Sequence, residues 1–377
     1  MQRIKFLRYR GWSFFKRATI LFVAAALVVL VDTGSAFAQI LEVARSILHE
    51  PSLLTTQVNS GLYTWVTRAG NRLVAVGQGG RIILSDDNGK SWRQVETPTS
   101  VTLTHDVFVS PQSGWAVGQM GVVLHTSDGG EHWVMQLDGF QANRAILAAA
   151  QAEAAQNPPV ASAANDLLNA KQMVDGGPSV PFLTLLPLSS RNLVLAGGFG
   201  MAFTSNDAGA SWQPILNLVP NPSALHIYDI IKDGSGQLWV GEEGLVLLRD
   251  QHGNFKTLNP PFAGSFFGAL RTANRTLILY GLQGTVLRSI DNGTSWVQAK
   301  IPSVAGIDAG IILKNGDVLL GDENGNLLLS RNDGQSYTST RTNSPVVGLA
   351  QAADGSIITC GPQGMSVRAL RSLGQSD

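Results

Sequence analysis

Short apolar runs separated by turn residues are the dominant pattern of this chain. Leu73–Val76 and Ile82–Leu84 flank a Gly-x-x-Gly turn at Gly77–Gly80. Glycines between two such runs are typical of a tight hairpin that needs positive φ. The same arrangement recurs at Gly118–Gly121, Gly197–Gly200, Gly241–Gly244, Gly281–Gly284, Gly321–Gly325 and Gly361–Gly364. Seven copies predict seven similar units.

A second pattern, Ser-x-Asp-x-Gly-x-x-Trp, follows these turns in the same phase. It occurs at Ser85–Trp92, Thr126–Trp133, Ser205–Trp212 and Ser289–Trp296, with weaker copies ending at Phe255 and Tyr337. The aromatic positions are 41 to 43 residues apart, except for one step of 79 residues after Trp133. Four strands in a period of this length are typical of a propeller blade. The sequence therefore predicts an all-β, seven-bladed β-propeller with a helical hairpin insertion.

The last repeat, Val346–Leu370, supplies only three strands. The strand-like segment Leu53–Val58 precedes the first full repeat. We expect it to supply the fourth strand of the last blade, because a ring closed in this way leaves no long exposed edge. The propeller is thus predicted over residues 53–371, with a C-terminal tail at residues 372–377.

The step of 79 residues indicates an insertion at residues 139–179, between blades two and three. Gln141–Gln156 and Ser162–Met173 are rich in helix formers and predict a helical hairpin. Propeller geometry places it on the same face as the Gly-x-x-Gly turns. It is either a neutral surface addition or a partner-docking element. The docking hypothesis rests on its apolar residues Ile146, Leu147, Leu167 and Leu168.

Residues 1–38 have the pattern of a secretory signal peptide. A segment with six basic residues precedes the apolar run Ala18–Val31, and Ala36-Phe37-Ala38 predicts cleavage after Ala38. The alternative to a cleaved signal peptide is an uncleaved membrane anchor. Residues 39–52 are interpreted as a lead-in to the propeller. Cleavage leaves 21 basic and 26 acidic residues, a net charge near −5. A periplasmic protein is predicted, and a nucleic-acid partner is not expected, since phosphate binding needs a cationic face.

The remaining composition indicates no cofactor and no metal site. The single cysteine, Cys360, cannot form an intramolecular disulfide and is interpreted as a buried apolar side chain. Phosphate-binding loops, nucleotide-binding fingerprints and His/Cys metal spacings are absent from the sequence. We expect no catalytic residue, no small-molecule substrate and a monomer.

Two groups of polar residues are candidates for function. The first residues of the inner strands are expected to line the channel mouth. The polar candidates at these positions are His105, Asp106, His226, Tyr228, Asp229 and Asp308. Among them, His105-Asp106 and Tyr228-Asp229 are interpreted as matching repeat positions. These residues either line the channel or act in acid–base catalysis. On the rim, Glu242, Glu243, Asp322 and Glu323 are either solvated turn charges or a docking surface for a basic peptide.

The repeated aspartates are interpreted as structural. Their carboxylates can accept backbone N–H bonds in tight turns, the glycines allow left-handed backbone, and the tryptophans pack between strands. The residues assigned to this role are Asp87, Gly89, Trp92, Asp128, Gly130, Trp133, Asp207, Gly209, Trp212, Asp291, Gly293 and Trp296.

The repeated unit resembles a known family. Ser-x-Asp-x-Gly-x-x-Trp is similar to the Asp-box of sialidases. The fuller unit at Ser113–Trp133, Gly-Trp-x-Val-Gly followed by Thr-Ser-Asp-Gly-Gly-x-x-Trp, resembles the photosystem II stability and assembly factor family, and variants cover most of Leu62–Leu370. That resemblance implies a non-enzymatic, seven-bladed lumenal propeller that holds a membrane protein during assembly in photosynthesis.

The function expected from this resemblance is an exported assembly scaffold that docks a membrane-protein partner. The alternative is an Asp-box glycoside hydrolase or a carbohydrate-binding propeller. The Arg-Ile-Pro signature of sialidases is absent, and the nearest run is Lys300-Ile301-Pro302. A sialidase also needs a tyrosine nucleophile, and no tyrosine after residue 38 has an adjacent glutamate.

Overall fold

The protein is built from seven antiparallel sheets arranged in a ring. The computed structural model describes residues 33–157, 162–342 and 344–373. Within them, six sheets have four strands and one has three. Each first strand contacts the first strand of the next blade, and the first strand of the last blade contacts that of blade 1. The predicted seven-bladed propeller is confirmed.

The strands are numbered in chain order. Blade 1 contains β1 (Tyr63–Ala69), β2 (Arg72–Gly77), β3 (Ile82–Ser85) and β4 (Arg93–Val95). Blade 2 contains β5 (Leu103–Phe108), β6 (Gly114–Gly118), β7 (Val123–Thr126) and β8 (Val134–Leu137). Blade 3 contains β9 (Phe182–Pro187), β10 (Leu193–Gly197), β11 (Ala202–Ser205) and β12 (Gln213–Pro214). Blade 4 contains β13 (Ile227–Asp233), β14 (Gly236–Gly241), β15 (Val246–Arg249) and β16 (Phe255–Thr257).

The last three blades continue the same order from the inner strand outward. Blade 5 contains β17 (Phe266–Arg271), β18 (Leu277–Gly281), β19 (Val286–Ser289) and β20 (Val297–Gln298). Blade 6 contains β21 (Ile307–Ile312), β22 (Val318–Asp322), β23 (Asn326–Ser330) and β24 (Thr338–Arg341). Blade 7 contains β25 (Gly348–Gln351), β26 (Ile357–Gly361) and β27 (Gly364–Arg368).

Apolar side chains fill the seams between neighbouring blades. Second strands such as β10 and β18 are buried along their whole length, because both faces of a blade pack against other blades. The aromatic residue that ends each Asp-box packs into the seam with the preceding blade. Trp133 of blade 2, for example, packs with Leu84 of blade 1, and Trp92 of blade 1 packs with Ile358 of blade 7. Each box therefore joins its blade to the previous one.

The ring does not close in the predicted way. Leu53–Val58 is not a strand, and blade 7 has three strands only. The segment instead lies along blade 1, because Gln94 of β4 donates to the carbonyl of Leu53 (2.9 Å) and accepts from the N–H of Thr55 (3.1 Å). Toward blade 7, Val58 packs against the cluster that contains Ile358 and Cys360, and the carbonyl of the following residue, Asn59, accepts from the N–H of Met365 (3.2 Å).

The C-terminal segment takes over part of the missing strand's role. A 3-10 turn at Leu370–Ser372 follows β27. Leu373 is 2 % exposed and packs into the seam between blades 6 and 7 with Leu329 and Ile357. Arg331 donates to its carbonyl (3.3 Å). Leu373 thus fills the seam position that an Asp-box aromatic residue holds in other blades.

Three helices lie outside the sheets. The N-terminal helix α1 spans Thr33–His49, and the insertion forms α2 (Gly139–Ala154) and α3 (Ala163–Gly176), which pack on each other. The predicted helical hairpin between blades 2 and 3 is confirmed. Asp138 and Gln141 begin α2 with a reciprocal capping box, whereas Ser162 makes no capping hydrogen bond through its side chain. Gly177 ends α3 at φ 74°.

The two faces of the ring carry different turns. The turns between second and third strands and the links between blades lie on one face, here called the hairpin face. The turns between third and fourth strands lie on the other, here called the Asp-box face. The insertion lies on the hairpin face, because a Cβ on Gly121 of the β6–β7 turn would come within 2.6 Å of Gly139 Cα.

The lead-in helix α1 also rests on the hairpin face. Leu48 is fully buried in the seam between blades 1 and 2, and the carbonyl of Ile47 accepts from the N–H of Ser100 (3.4 Å). The Arg45 guanidinium lies 5.1 Å from the centre of the Phe140 ring at the start of α2. The predicted cleavage point after Ala38 falls within α1, while residues 1–32 of the predicted signal peptide lie outside the described residues. None of the helices in the described part of the chain has the length and hydropathy needed to cross a bilayer.

Candidate binding face

Glu242 and Glu243 form the β14–β15 turn on the hairpin face. Glu243 is exposed and has φ 49°, a left-handed conformation that is uncommon for a residue with a side chain. Glu242 is half-buried, and its Oε2 accepts from the N–H of His226 (2.9 Å) and lies 2.7 Å from His226 Nδ1. The structure therefore fixes one carboxylate on a neighbouring imidazole and leaves the other in solvent.

Asp322 does not belong to the rim surface that the sequence suggested. It is 0 % exposed, and its Oδ1 accepts from the N–H groups of Asn324 (3.0 Å) and Asn326 (2.7 Å). Its Oδ2 accepts from the Ser303 hydroxyl (2.6 Å). Asp322 pairs with Ile307 at the strand position where β14 has Gly241. The expectation of a docking role is wrong for this residue, because its carboxylate is used to build the turn.

Glu323 occupies the same turn position as Glu242. The backbone N–H of Glu242 donates to the carbonyl of His226 (3.0 Å), and that of Glu323 donates to the carbonyl of Gly306 (2.9 Å). Glu323 is half-buried, and burial raises the pKa of its carboxyl group, although a backbone hydrogen bond from Gly306 opposes this. Blades 4 and 6 therefore present one acidic side chain each at equivalent points of the face.

A row of aromatic rings runs beside Glu242 from the rim toward the channel. Phe199, at the tip of the β10–β11 turn, is 60 % exposed and lies 4.8 Å from the His226 ring between centroids. His226 is 6.1 Å from Tyr228, and Tyr228 is 5.5 Å from Phe267 in an edge-on arrangement. The sequence reading missed Phe199 and Phe267. A large apolar residue at a turn position that needs positive φ, where blade 1 has Gly79, was the available signal for Phe199.

The insertion shares the core of the propeller instead of standing free. Ile146 of α2 is 5 % exposed and packs with Trp115 and Phe203 in the seam between blades 2 and 3. Its predicted docking role is therefore wrong, because the side chain is covered by the protein itself. Leu147 and Leu167 are partly buried against the same cluster, and Leu168, which is 55 % exposed, is the member of the predicted set that faces solvent.

The Asp-boxes build their own turns with a repeated set of hydrogen bonds. In blade 1, Asp87 Oδ1 accepts from the N–H of Ser91 (2.9 Å) and Oδ2 accepts from its hydroxyl (2.6 Å). The Ser85 hydroxyl donates to Asp87 (2.9 Å) and accepts from the N–H of Gly89 (2.9 Å), which has φ 86°. The same backbone N–H bonds recur around Asp128, Asp207 and Asp291, with Gly130, Gly209 and Gly293 also at positive φ, and in blade 2 the His132 ring replaces the serine hydroxyl.

These hydrogen bonds stabilise the charged form of each carboxylate. The serine four residues later donates its hydroxyl and N–H to Asp87, Asp207 and Asp291, and this lowers the pKa of each to about 2. In Asp128, burial opposes the shift, but hydrogen bonds from His132 outweigh it and the pKa is again about 2. Local hydrogen bonds therefore keep the four box aspartates ionised at neutral pH.

The box tryptophans differ in how their N–H groups are satisfied. Trp92 donates to the carbonyl of Gly89 (3.1 Å), and Trp133 donates to that of Gly130 (2.9 Å). In the described part of the chain, the N–H groups of Trp212 and Trp296 have no hydrogen-bond partner. The packing of the rings in the seams is common to all four and does not depend on this bond.

The inner strands correct the predicted match between His105-Asp106 and Tyr228-Asp229. His105 pairs with Val117 and Asp229 with Val240, so these two residues are equivalent. Tyr228 is the extra residue of a β-bulge, and Asp106 corresponds to Ile230. The sequence comparison was therefore one residue out of register, which reverses the side of the strand that a side chain occupies.

The carboxylates of Asp106, Asp229 and Asp308 belong to the inner strands. Asp106 is 1 % exposed, and burial raises the pKa of its carboxyl group well above the usual range. Asp229 Oδ2 accepts from the N–H of Ala269 in the next blade (3.2 Å). Asp308 is also 1 % exposed. Throughout the described ranges, no three His, Cys, Asp or Glu side chains are grouped so that they could hold a metal ion.

Fold and site together define the class: an Asp-box β-propeller whose irregular features are concentrated on one face. A family described as "Photosynthesis system II assembly factor YCF48" matches residues 84–154. The photosystem II assembly lipoprotein Ycf48 of Synechococcus sp. (strain CC9902) is 25 % identical over 240 residues, which is 59 % of this chain and 70 % of the relative. The resemblance to the photosystem II assembly factor family is thus confirmed.

Solved structures show the same fold at low sequence identity. "YCF48 bound to D1 peptide" has a TM-score of 0.59 and 16 % identity, and the match covers 85 % of this chain and 96 % of that one. A streptogramin B lyase structure has a TM-score of 0.62 and 11 % identity over 84 % of this chain and 97 % of its own. Both an assembly factor and an enzyme therefore use this architecture, and the fold alone does not decide between them.

Proposed function

We propose that this protein is an exported, non-enzymatic scaffold that binds a segment of a membrane-protein partner during assembly. The observation that carries the proposal is the hairpin face, where exposed apolar and acidic side chains interrupt an otherwise regular ring. Phe199, Leu218 and Val304 are 60 %, 64 % and 86 % exposed there. A structural relative is described as bound to a D1 peptide, which supports peptide binding by a propeller of this kind.

In this proposal the protein binds its partner on the periplasmic or lumenal side of a membrane. The basic and apolar pattern of residues 1–38 supports export, and a curated relative is described as a lipoprotein. Helix α1 and the insertion both pack on the hairpin face, so the N-terminal segment and the proposed binding surface lie on the same side of the ring.

The alternative of a glycosidase finds little support in the channel. A retaining or inverting glycosidase needs two carboxyl groups that reach the scissile bond. Burial raises the pKa of Asp106, as a general acid requires, but this residue is 1 % exposed. A sugar bound at the surface would not contact a carboxylate buried to this extent, so a scaffold accounts better for the exposed features.

Site-specific photo-crosslinking tests the proposed function. A photoreactive residue at Val304, on the hairpin face, is compared with one at Ile290, which lies in an Asp-box turn and is 71 % exposed. In membranes of the native host we expect a membrane protein to be crosslinked from position 304 and not from position 290. Equal products from the two positions, or none from position 304, would overturn the proposal.

A further inference from the structure

Blades 3 and 4 present an aromatic ring and two carboxylates on neighbouring hairpin tips. Phe199 and Glu243 occupy the same position of their turns, with φ of 52° and 49°. Phe199 is 60 % exposed, and Glu243 is exposed beside it on the next blade. The backbone therefore holds a large apolar side chain and an acidic one out from the face at adjacent points.

His226 connects the ring to the second carboxylate. Its imidazole lies 4.8 Å from the Phe199 ring between centroids, and its Nδ1 lies 2.7 Å from Glu242 Oε2. The N–H of His226 also donates to that oxygen (2.9 Å). Since one residue contacts both groups, the ring and the Glu242 carboxylate are fixed next to each other, and Glu243 adds a second carboxylate in solvent.

The surrounding segments contain no lysine or arginine, and the titratable group that faces Glu242 is the imidazole of His226. The links over residues 215–226 and 258–265, and the turns at Glu242–Gly244 and Leu282–Gly284, contain neither lysine nor arginine. Among the described residues, no lysine or arginine forms an ion pair with Glu242 or Glu243. Exposed Leu218 and Val304 lie on the same face. The patch is thus apolar and acidic together.

We propose that Phe199, Glu242 and Glu243 bind a lysine or arginine side chain carried by an extended, otherwise apolar segment of the partner. A cation placed on an aromatic face is attracted by the ring, and carboxylates strengthen such contacts through charge-assisted hydrogen bonds. Charge complementarity selects this occupant over an acidic segment or an anionic lipid surface. The inference rests on the proposed function and names the chemistry of the segment that the scaffold binds.

A library of random displayed dodecapeptides, selected on the immobilised protein, is the probe. We expect the enriched peptides to carry lysine or arginine beside apolar residues. For the tightest enriched peptide, fluorescence anisotropy should show at least a tenfold weaker Kd with Glu243→Lys, which corresponds to about 1.4 kcal/mol. Glu96→Lys, at an exposed glutamate after β4 in blade 1, is the matched control and should leave Kd within about twofold.

The aromatic part of the site has its own pair of variants. Phe199→Ala should weaken binding about three- to thirtyfold, in the range of a cation–π contact that is partly shielded from solvent. Ile290→Ala, an exposed apolar residue on the opposite face, should leave binding unchanged. Replacing the basic residue of the peptide by neutral citrulline should reproduce the loss seen with Glu243→Lys.

Three results would overturn the inference. The first is a selection that does not enrich basic residues in the peptides. The second is an equal Kd for the Glu243→Lys and Glu96→Lys proteins. The third is a citrulline peptide that binds as tightly as the basic peptide. These outcomes are distinct from failure of the proposed function. If the protein still crosslinks a membrane partner from position 304 but its Kd does not depend on the charge of the peptide, the proposed scaffold function stands. The bound segment is then recognised by something other than a basic side chain.

Discussion

The Asp-box face repeats itself from blade to blade, and the hairpin face does not. In blades 1, 2, 3 and 5 the Asp-box turns hold the same hydrogen bonds from a serine or threonine, an aspartate and a glycine. In blades 1 to 5 the tip of the hairpin turn changes instead from blade to blade, and its residues are Gly79, Met120, Phe199, Glu243 and Gln283. All of them have positive φ, so the backbone is shared while the side chains differ.

This contrast separates two tasks within one repeat. An Asp-box must close its turn and insert an aromatic ring into the seam, and both requirements fix the identity of the side chains. A hairpin tip needs only the turn, so its side chain is free to meet something outside the molecule. We therefore expect substitutions on the Asp-box face to change stability and those on the hairpin face to change binding.

Removing a box tryptophan should give the largest loss of stability. Trp133 is 6 % exposed and packs between blades 1 and 2. Trp133→Ala is expected to lower the free energy of unfolding by about 3–5 kcal/mol, through lost burial and the cavity left behind. Denaturant unfolding measures the change. Phe199→Ala, on the hairpin face, should change stability by no more than about 0.5 kcal/mol; equal losses in the two variants would contradict the division of tasks.

The insertion sharpens the comparison because it contains both kinds of residue. Ile146 is buried in the seam between blades 2 and 3, whereas Leu168 is 55 % exposed. Ile146→Ala is expected to cost about 2–5 kcal/mol in unfolding free energy, and Leu168→Ala about 0.5 kcal/mol or less. If Ile146→Ala left the unfolding curve unchanged, the insertion would be a surface addition that the propeller does not need.

Acid should weaken the Asp-box face through a smaller, graded effect. The pKa values of Asp87, Asp207 and Asp291 are about 2, below their ordinary value of 3.8. Stability from these groups is therefore complete above about pH 4 and is lost as the pH falls toward 2. Changing all three to asparagine should flatten the decline of Tm between pH 4 and pH 2.

Blade 6 already has asparagine at the Asp-box position. Asn332 stands at the box position there, where its Oδ1 accepts from the N–H of Ser336 (3.0 Å) and from the Ser330 hydroxyl (2.9 Å). The neutral amide thus keeps the turn, so the triple variant should remain folded at neutral pH. An acid transition as steep as that of the unchanged protein would show that other groups control acid unfolding.

The sequence predicts what the repeat encodes and misses what depends on contacts between distant segments. The seven blades, the boxes and the inserted hairpin follow from spacing and local turn chemistry. The buried positions of Ile146 and Asp322 do not, because apolar and acidic residues look alike in sequence whether or not a neighbour covers them. The one-residue shift between Asp106 and Asp229 escaped because the inner strands share no residue that marks their register; both blades have a β-bulge at the same place, at Thr104 and at Tyr228.

The N-terminal lead-in was the least predictable element. The sequence assigned no structure to residues 39–52, yet α1 continues to His49 and inserts Leu48 into the first seam. Leu53–Val58 has the composition of a strand but pairs with the side chain of Gln94 instead of with β27. The position of each segment depends on which surface of the completed ring it can pack against, and the sequence of the segment alone does not indicate that surface.

The position of Leu373 has a consequence for the order in which the molecule can fold. This residue occupies the seam between blades 6 and 7, and the hydrogen bond from Asp354 to Asn88 joins blade 7 to blade 1 across 266 residues. Contacts of such long range form late, since the entropy of closing the loop must be overcome first. A nascent chain can complete blades one after another, but the ring gains its final seam only after blade 7 has been synthesised. Until then blades 1 and 7 expose apolar faces, which would give a chaperone or an export machinery time to act on an open chain.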